Sequence, residues 1–391
     1  MQKNVAKIVC IDCRYINGRP SGIAEMVTAL AMHAPAFARD MNFRLLVDSS
    51  QTTALSDAPN VHHVPVRATP NGPATMWWLP HAADLRGIDL FHATFNIMPA
   101  RLRVPCITTV HDMMWLDRPD WCETGWRGSI RRRFFAHGMR RALARSAFIA
   151  TVSEATRSAI IDTRPSLAAR TAVTRSGVSD AYRPVARDVC RTAALGLDPA
   201  RRFVLVVGQY APYKNHEGAV RAFALACVGR SDVDLVLVHR RGPPATPLID
   251  LAAQLGVARR VRILAAVAAH DLVHLYCAAA VLLHPSFCEG FGNPVAEAMA
   301  CGCPVITSDR SAMAEIGAAA TMLIDPCDPP AIAAAIGTIL DNPAHARTLR
   351  KRGLDRAAQL SWAEFARASV ALYRRVLTGA GQDQRHGQCS A

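Results

Sequence analysis

Short runs rich in Val, Ile, Leu and Phe recur along the chain, each followed by room for one helix. The runs 7–11, 43–47, 88–92, 106–110, 148–152 and 171–174 predict strands. Between them, 23–38, 75–85, 130–144 and 154–161 place apolar residues at helical spacing. Such alternation predicts a parallel sheet with helices on both faces. It breaks at 176–197, a stretch rich in Arg, Asp and Pro, and then restarts. Strands are expected at 203–207, 233–239, 261–264, 281–284 and 304–307, and helices at 215–227, 247–254, 294–300 and 331–340.

The expected fold class is therefore α/β, with two Rossmann-like domains facing across a cleft. The N-terminal domain takes 1–180, a linker 181–200, and the C-terminal domain 201–360. A last helix follows at 361–378, then a polar tail at 379–391 expected to be disordered. Ligands of open α/β sheets bind beyond the carboxyl ends of the strands, so those edges are where chemistry is expected.

At 391 residues the chain exceeds the size at which a single core keeps growing, in keeping with two domains. The net charge of +14 points to anionic partners without choosing among them. Nearly all of the cations are Arg; the lysines are Lys3, Lys7, Lys214 and Lys351. The 12 cysteines are scattered, as expected of reduced thiols in a cytosolic protein. The Cys10–Cys13 and Cys301–Cys303 spacings are read as structural rather than metal-binding. No export signal is read in 5–11, and the most apolar long stretch, 265–283, is broken by His270, Asp271 and His274. A cytoplasmic location is expected.

The most informative segment follows the strand ending at His284. It reads Pro285-Ser286-Phe287-Cys288-Glu289-Gly290-Phe291-Gly292-Asn293-Pro294 and runs into a helix stopped by Gly302. Asn293 is expected as the N-cap and Pro294 as the first helical residue. Gly290 and Gly292 let backbone N–H groups approach a ligand, and the helix start favours a diphosphate. Glu297 lies in the second turn among apolar neighbours, where a carboxylate needs a donor such as a ribose diol. Glu289 sits in the loop, free to meet a sugar hydroxyl.

A second strand ends at Gly208 and continues Gln209-Tyr210-Ala211-Pro212-Tyr213-Lys214-Asn215 before a helix. Lys214 is the one Lys between Lys7 and Lys351 in an Arg-biased chain, and a compact ammonium at a helix start suits a phosphate. The alternative is a solvated surface Lys. In the first half, Thr108-Thr109-Val110-His111-Asp112 closes a strand, and a His there is placed either for catalysis or as a hydrogen-bonded structural group.

Glu289 and Glu297, in the context E-G-F-G-N-P-V-A-E-A-M-A-C-G-C-P-V-I, resemble the E-x7-E signature of retaining glycosyltransferases of family 4, which have the GT-B fold. The resemblance extends to the segment from Gly208 to Asn215, to His111, to the loop from Arg14 to Gly22, to 151–154, to 176–178 and to 315–326. It implies that Glu289 contacts the donor sugar, that Gly290, Phe291 and Gly292 line sugar and phosphate, and that Glu297 binds the ribose. It further implies that Lys214 neutralises the diphosphate, that His111 lies near the sugar, that Gly22 lets its loop approach the diphosphate, and that the last helix crosses back onto the N-terminal domain. Gln209 stands where the family often has Arg; Arg240 or Arg241 is the candidate replacement.

The function so implied is a retaining, metal-independent transfer of a hexose, with mannose the first guess. The donor is a GDP- or UDP-sugar, and no cofactor is implied. The acceptor is a glycan or a polyprenyl-diphosphate-linked glycan of a surface polysaccharide or lipopolysaccharide. The competing readings are a GT-B sugar-nucleotide epimerase and a non-catalytic sugar-nucleotide-binding protein; no nucleic-acid-binding module is recognised. Finally, 126–145 crowds Arg127, Arg131, Arg132, Arg133, Arg140, Arg141 and Arg145 around aromatic residues. It is either a peripheral contact with an anionic membrane or an Arg-rich solvated face.

Overall fold

The computed structural model describes residues 6–16, 21–122, 125–239, 246–265 and 267–379. They form two compact units, one running to Gly177 and resuming at Ser361, the other spanning Val178–Leu360.

The first unit is built on a seven-stranded parallel sheet ordered β3-β2-β1-β4-β5-β6-β7. The strands are β1 (Lys7–Asp12), β2 (Met41–Asp48), β3 (Val61–Val66), β4 (Leu90–Ala93), β5 (Cys106–Val110), β6 (Phe148–Thr151) and β7 (Thr171–Val173). Strand β3 was not expected, because His62, His63 and Pro65 mask its pattern. It is an edge strand, half exposed, where a Pro costs no ladder hydrogen bond. The expected helix at 75–85 is instead a π-helical turn, Ala74–Trp78, leading into the short helix Leu79–Ala82. Helix Gly125–Arg145 buries Phe135, Met139, Ala142 and Leu143; Met139 and Leu143 meet Ile149 and Ile160, and its arginines are exposed except for the half-buried Arg132 and Arg141.

Helix Trp362–Leu377, capped by Ser361, belongs to this first unit. Its Tyr373 hydroxyl lies 2.6 Å from His92 Nδ1, its Arg374 pairs with Asp40 at 2.9 Å, and its Arg367 covers the Phe37 ring. The tail beyond Gly379 lies outside the described residues.

The second unit carries a six-stranded parallel sheet ordered β10-β9-β8-β11-β12-β13. Its strands are β8 (Arg202–Val207), β9 (Val233–His239), β10 (Val261–Ala265), β11 (Val281–His284), β12 (Val305–Ser308) and β13 (Met322–Ile324). Val204, Val206, Leu235, Leu237 and Leu283 meet Phe223, Leu248, Ile332 and Ile336 from the helices in its core. Residues 181–200 contain helix Val189–Ala194, and Thr192 Oγ1 lies 2.9 Å from His274 Nε2. The unexpected helix Pro343–Ala357 is mostly polar; it starts at the Asn342 cap and buries Leu349, Gly353 and Ala357. Among the described residues no helix is long and apolar enough to cross a membrane.

In each sheet the strand order reverses direction at one place: between β1 and β4 in the first, and between β8 and β11 in the second. There the connections leave on opposite faces, and a crevice opens at the carboxyl edge.

Candidate functional site

The crevice of the second unit collects most of the expected donor residues. Gly208 follows β8, and its amide donates to Val238 O at 3.0 Å. The chain then turns through Pro212–Lys214 to Asn215, which takes a left-handed conformation at φ 53°. Asn215 ties the site together. Its Oδ1 accepts from Gly218 N at 3.2 Å, capping helix His216–Ala226, while its Nδ2 donates to Pro285 O at 3.2 Å and Pro326 O at 2.7 Å. Phe287 N donates to Tyr213 O at 2.7 Å. The loops after β8 and β11 are thereby stitched together by the Asn215 side chain and a backbone hydrogen bond.

That stitching brings Lys214 Nζ to 2.6 Å from Glu289 Oε1, with the two side chains 10% and 12% exposed. The same Oε1 lies 2.9 Å from His284 Nε2, and Ser286 Oγ is 3.2 Å from that nitrogen. Burial alone would raise the Glu289 carboxyl, but the Lys214 ammonium and the His284 hydrogen bond outweigh it and hold it down at about 2. Burial lowers His284. A carboxylate only accepts, so His284 presents a proton at Nε2. One alternative and one expectation are overturned here. Lys214 is not a solvated surface residue, and Glu289 is not free in its loop; its carboxylate is engaged by Lys214 and His284. Its backbone is held as well, since Ser311 Oγ donates to Glu289 O at 2.6 Å and accepts from Glu289 N at 3.2 Å.

Helix Asn293–Ala300 starts one residue earlier than expected. Gly292, at φ +94°, is the cap position, and Asn293 is the first helical residue rather than a side-chain N-cap. Only glycine takes that φ without strain, so Gly292 sets the angle at which the loop 289–292 meets the helix. Phe291 is buried, while Gly290 and Asn293 are half-buried. Glu297 is 2% exposed, and its Oε2 accepts from the Tyr276 hydroxyl at 2.7 Å. The donor it requires is thus supplied partly by the protein.

Exposed Gln209 donates from Nε2 to Tyr213 OH at 3.0 Å. Arg240 and Arg241 lie outside the described residues. Behind Lys214, three rings stack: Tyr210 with His216, Tyr210 with His239, and His216 with His239 at 5.0 Å. His216 Nδ1 and His239 Nε2 are buried without a partner. Burial, with help from His239, presses His216 down to about 3. Among the described residues no group of three or more His, Cys, Asp and Glu is placed to hold a metal ion.

In the first unit, His111 follows β5. Its Nε2 lies 2.9 Å from Thr94 O, so that nitrogen carries the proton, and its amide donates to Asn96 Oδ1 at 2.8 Å. Burial lowers it to about 4, leaving a neutral imidazole. Gly22 is the first residue of helix Gly22–Phe37, after the Ser21 cap. Arg14, at the start of that loop, is fully buried and forked onto Asp12 at 2.8 and 2.6 Å. The roles of His284, Ser311, Tyr276 and Asn215 were not read from sequence. Only the polar residue at the end of a strand or helix start gave a signal for any of them.

Two parallel-sheet Rossmann-like units with an anion-ready crevice define a GT-B enzyme, and solved structures agree on the fold. A sucrose-phosphate synthase from Thermosynechococcus elongatus aligns with a TM-score of 0.72 at 22% identity, covering 95% of this chain and 100% of that one. Anabaena HepE, solved with UDP and glucose, aligns with a TM-score of 0.66 at 19% identity, covering 94% and 99%. Residues 192–356 match the glycosyl transferases group 1 profile, and residues 21–177 match the glycosyl transferase 4-like domain. The O-antigen chain mannosyltransferase B of Escherichia coli is 30% identical over 287 residues, which are 73% of this chain and 74% of that protein. The chain belongs to the group 1 glycosyltransferases.

Proposed function

We propose that the protein is a retaining, metal-independent hexosyltransferase that takes its sugar from a nucleoside-diphosphate donor. The observation that carries this reading is the buried Lys214–Glu289 pair at the β8/β11 crevice, beside the start of helix Asn293–Ala300. Each charge satisfies the other. An arriving diphosphate competes for Lys214, and its negative charge also meets the helix start. Glu289, still held by His284, then faces the sugar hydroxyls, with Gly290, Phe291 and Gly292 lining sugar and phosphate. Glu297 takes the ribose, with Tyr276 orienting it. Gly208 lies against the Lys214 stem and Gln209 at the rim; Asn293 presents the first turn of the helix. His111 and Gly22, in the first unit, are read as donor-site residues from the family resemblance alone.

Breaking the glycosyl–phosphate bond builds negative charge on the diphosphate, and a preorganised ammonium and helix start stabilise it without rearrangement. Mannose is favoured as the hexose, and a glycan of a surface polysaccharide as the acceptor, by the similarity to the Escherichia coli O-antigen mannosyltransferase. A panel of GDP- and UDP-sugars tests this, reading donor hydrolysis and transfer together with the anomeric configuration of the product. Release from one donor with retention, undiminished by chelator, is expected. Inversion, or loss in chelator reversed by a divalent ion, overturns the mechanism.

The acceptor is read as lipid-linked and met at an anionic membrane. Trp126 is 71% exposed and Ile130 63% exposed on helix Gly125–Arg145, beside exposed Arg127, Arg131 and Arg133. Trp78 is exposed nearby in sequence to Trp77, whose ring packs on Phe134 of the same helix. Apolar rings among arginines suit a headgroup boundary, where each Arg adds about 1 kcal/mol. Co-sedimentation with anionic liposomes, reduced by salt and by Arg131→Gln with Arg132→Gln and Arg133→Gln, is expected; equal binding by the triple variant contradicts it.

A further inference from the structure

At the opposite edge of the first sheet lies a cavity of about 650 Å³ that the donor chemistry does not use. Its walls carry Arg101, Arg103, Arg141, Arg145 and Arg375, together with the starts of β5 and β6 at Cys106 and Phe148. His111 lies past the other end of β5, roughly 17 Å away along the strand. No Asp or Glu lines the cavity. Among the described residues, none of its five arginines has a carboxylate partner.

Four features show that this is more than surface arginine in an arginine-rich protein. Arg141 and Arg145 stand four residues apart on helix Gly125–Arg145, a like-charge spacing that weakens a helix. Arg141 Nε is buried without a hydrogen-bond partner, and Nη2 reaches only Pro99 O at 3.4 Å, so a guanidinium edge is desolvated and unanswered. Arg101 takes a left-handed backbone at φ 59°, a strained choice for a residue with a side chain. Arg375 is held on the Phe148 face at 4.7 Å and anchored to Ala169 O, fixing one cation at the wall. A concave surface with one sign of charge focuses its field, and guanidinium forks match phosphate oxygens.

We infer that this cavity is a binding site for a phosphate or diphosphate group, separate from the donor crevice. An anion there would answer Arg141 and relieve the repulsion among its neighbours. The group could be carried by a soluble phosphorylated ligand or by a lipid headgroup, and the chemistry at the arginines is the same.

The test uses the full chain with inorganic pyrophosphate as probe. Arg103→Gln with Arg145→Gln is the diagnostic variant, since both residues are exposed and neither makes a hydrogen bond or ion pair among the described residues. Lys214→Met controls for binding in the donor crevice. Calorimetry is expected to show pyrophosphate binding that survives Lys214→Met and weakens at least about tenfold in the arginine variant. Vesicles of phosphatidylcholine with phosphatidic acid form the second arm. Pyrophosphate displacing the wild type from them assigns the site to a lipid headgroup, and vesicle binding indifferent to pyrophosphate assigns it to a soluble ligand. Pyrophosphate binding that vanishes with Lys214→Met, or that is unchanged in the arginine variant, overturns the inference.

Discussion

Each sheet holds a buried carboxylate–cation pair at the point where its strand order reverses, and the two pairs are built for opposite purposes. In the first unit, Arg14 and Asp12 are two residues apart, with side chains 0% and 5% exposed. The guanidinium is committed on every side. It forks onto both Asp12 oxygens and also donates to Ala68 O and Thr75 Oγ1. In the second unit, Lys214 and Glu289 are 75 residues apart in sequence and come from two loops. An ammonium is a point charge on a flexible stem, and it can exchange one anion for another without losing a planar fork. Desolvated, fully bonded arginine locks a loop; a lysine sharing a carboxylate with a histidine leaves that loop chemistry to do.

The largest effect should come from breaking the locked pair. Arg14→Met strands Asp12 in the core and should destabilise the fold by about 3–5 kcal/mol. Denaturant unfolding reads this, and a soluble, fully stable Arg14→Met protein would erase the distinction between the pairs. Breaking the exchangeable pair should act on catalysis instead. Lys214→Met should lower kcat by about a hundred- to a thousandfold, in the range of a lost transition-state donor. Steady-state kinetics on the folded variant decide it, and a change confined to melting temperature would make Lys214 a second Arg14.

A smaller effect is expected at Glu297. Glu297→Ala should weaken donor binding by about 1.5–3 kcal/mol, measured by calorimetry. Unchanged affinity would reduce the Glu297–Tyr276 contact to a core hydrogen bond.

The gentlest probe is pH. Glu289 falls from an ordinary 4.5 to about 2 in the fold, so the unfolded chain binds the extra proton between those values. The stability it contributes is complete above about 4.5 and is lost as pH falls towards 2. His216, lowered from 6.5 to about 3, is also protonated first in the unfolded chain, so stability falls as pH drops through that window. Glu289→Gln should flatten the lower part of the acid limb and His216→Asn the upper part. An acid limb unaltered by either substitution would show that the crevice is not electrostatically coupled to folding.

The contrast also explains what could be read in advance. The β-α alternation and the Gly-rich loop before Glu297 are local patterns, and they located the sheets and the loop at the β8/β11 crevice. Lys214 was legible because it interrupts an arginine habit. The partnership of Lys214 with Glu289 was not, because it depends on Asn215 bridging to Pro285 and Pro326, contacts 70 and 111 residues distant. Asn293 was misplaced by one residue because Gly292 supplies the turn by its backbone, without a side-chain cap. Strand β3 hid behind Pro65, which an edge position tolerates. Arg14 offered no cue at all: a lone Arg after a strand looks the same whether it faces solvent or a buried Asp.

The central claim is that Lys214 gives up Glu289 for a diphosphate. Calorimetric titration of wild type and Lys214→Met with a nucleoside diphosphate and with the same nucleoside lacking phosphates tests it most directly. The account predicts that the substitution weakens the diphosphate by at least about tenfold and leaves the bare nucleoside unchanged. Equal affinity of both proteins for the diphosphate would contradict it.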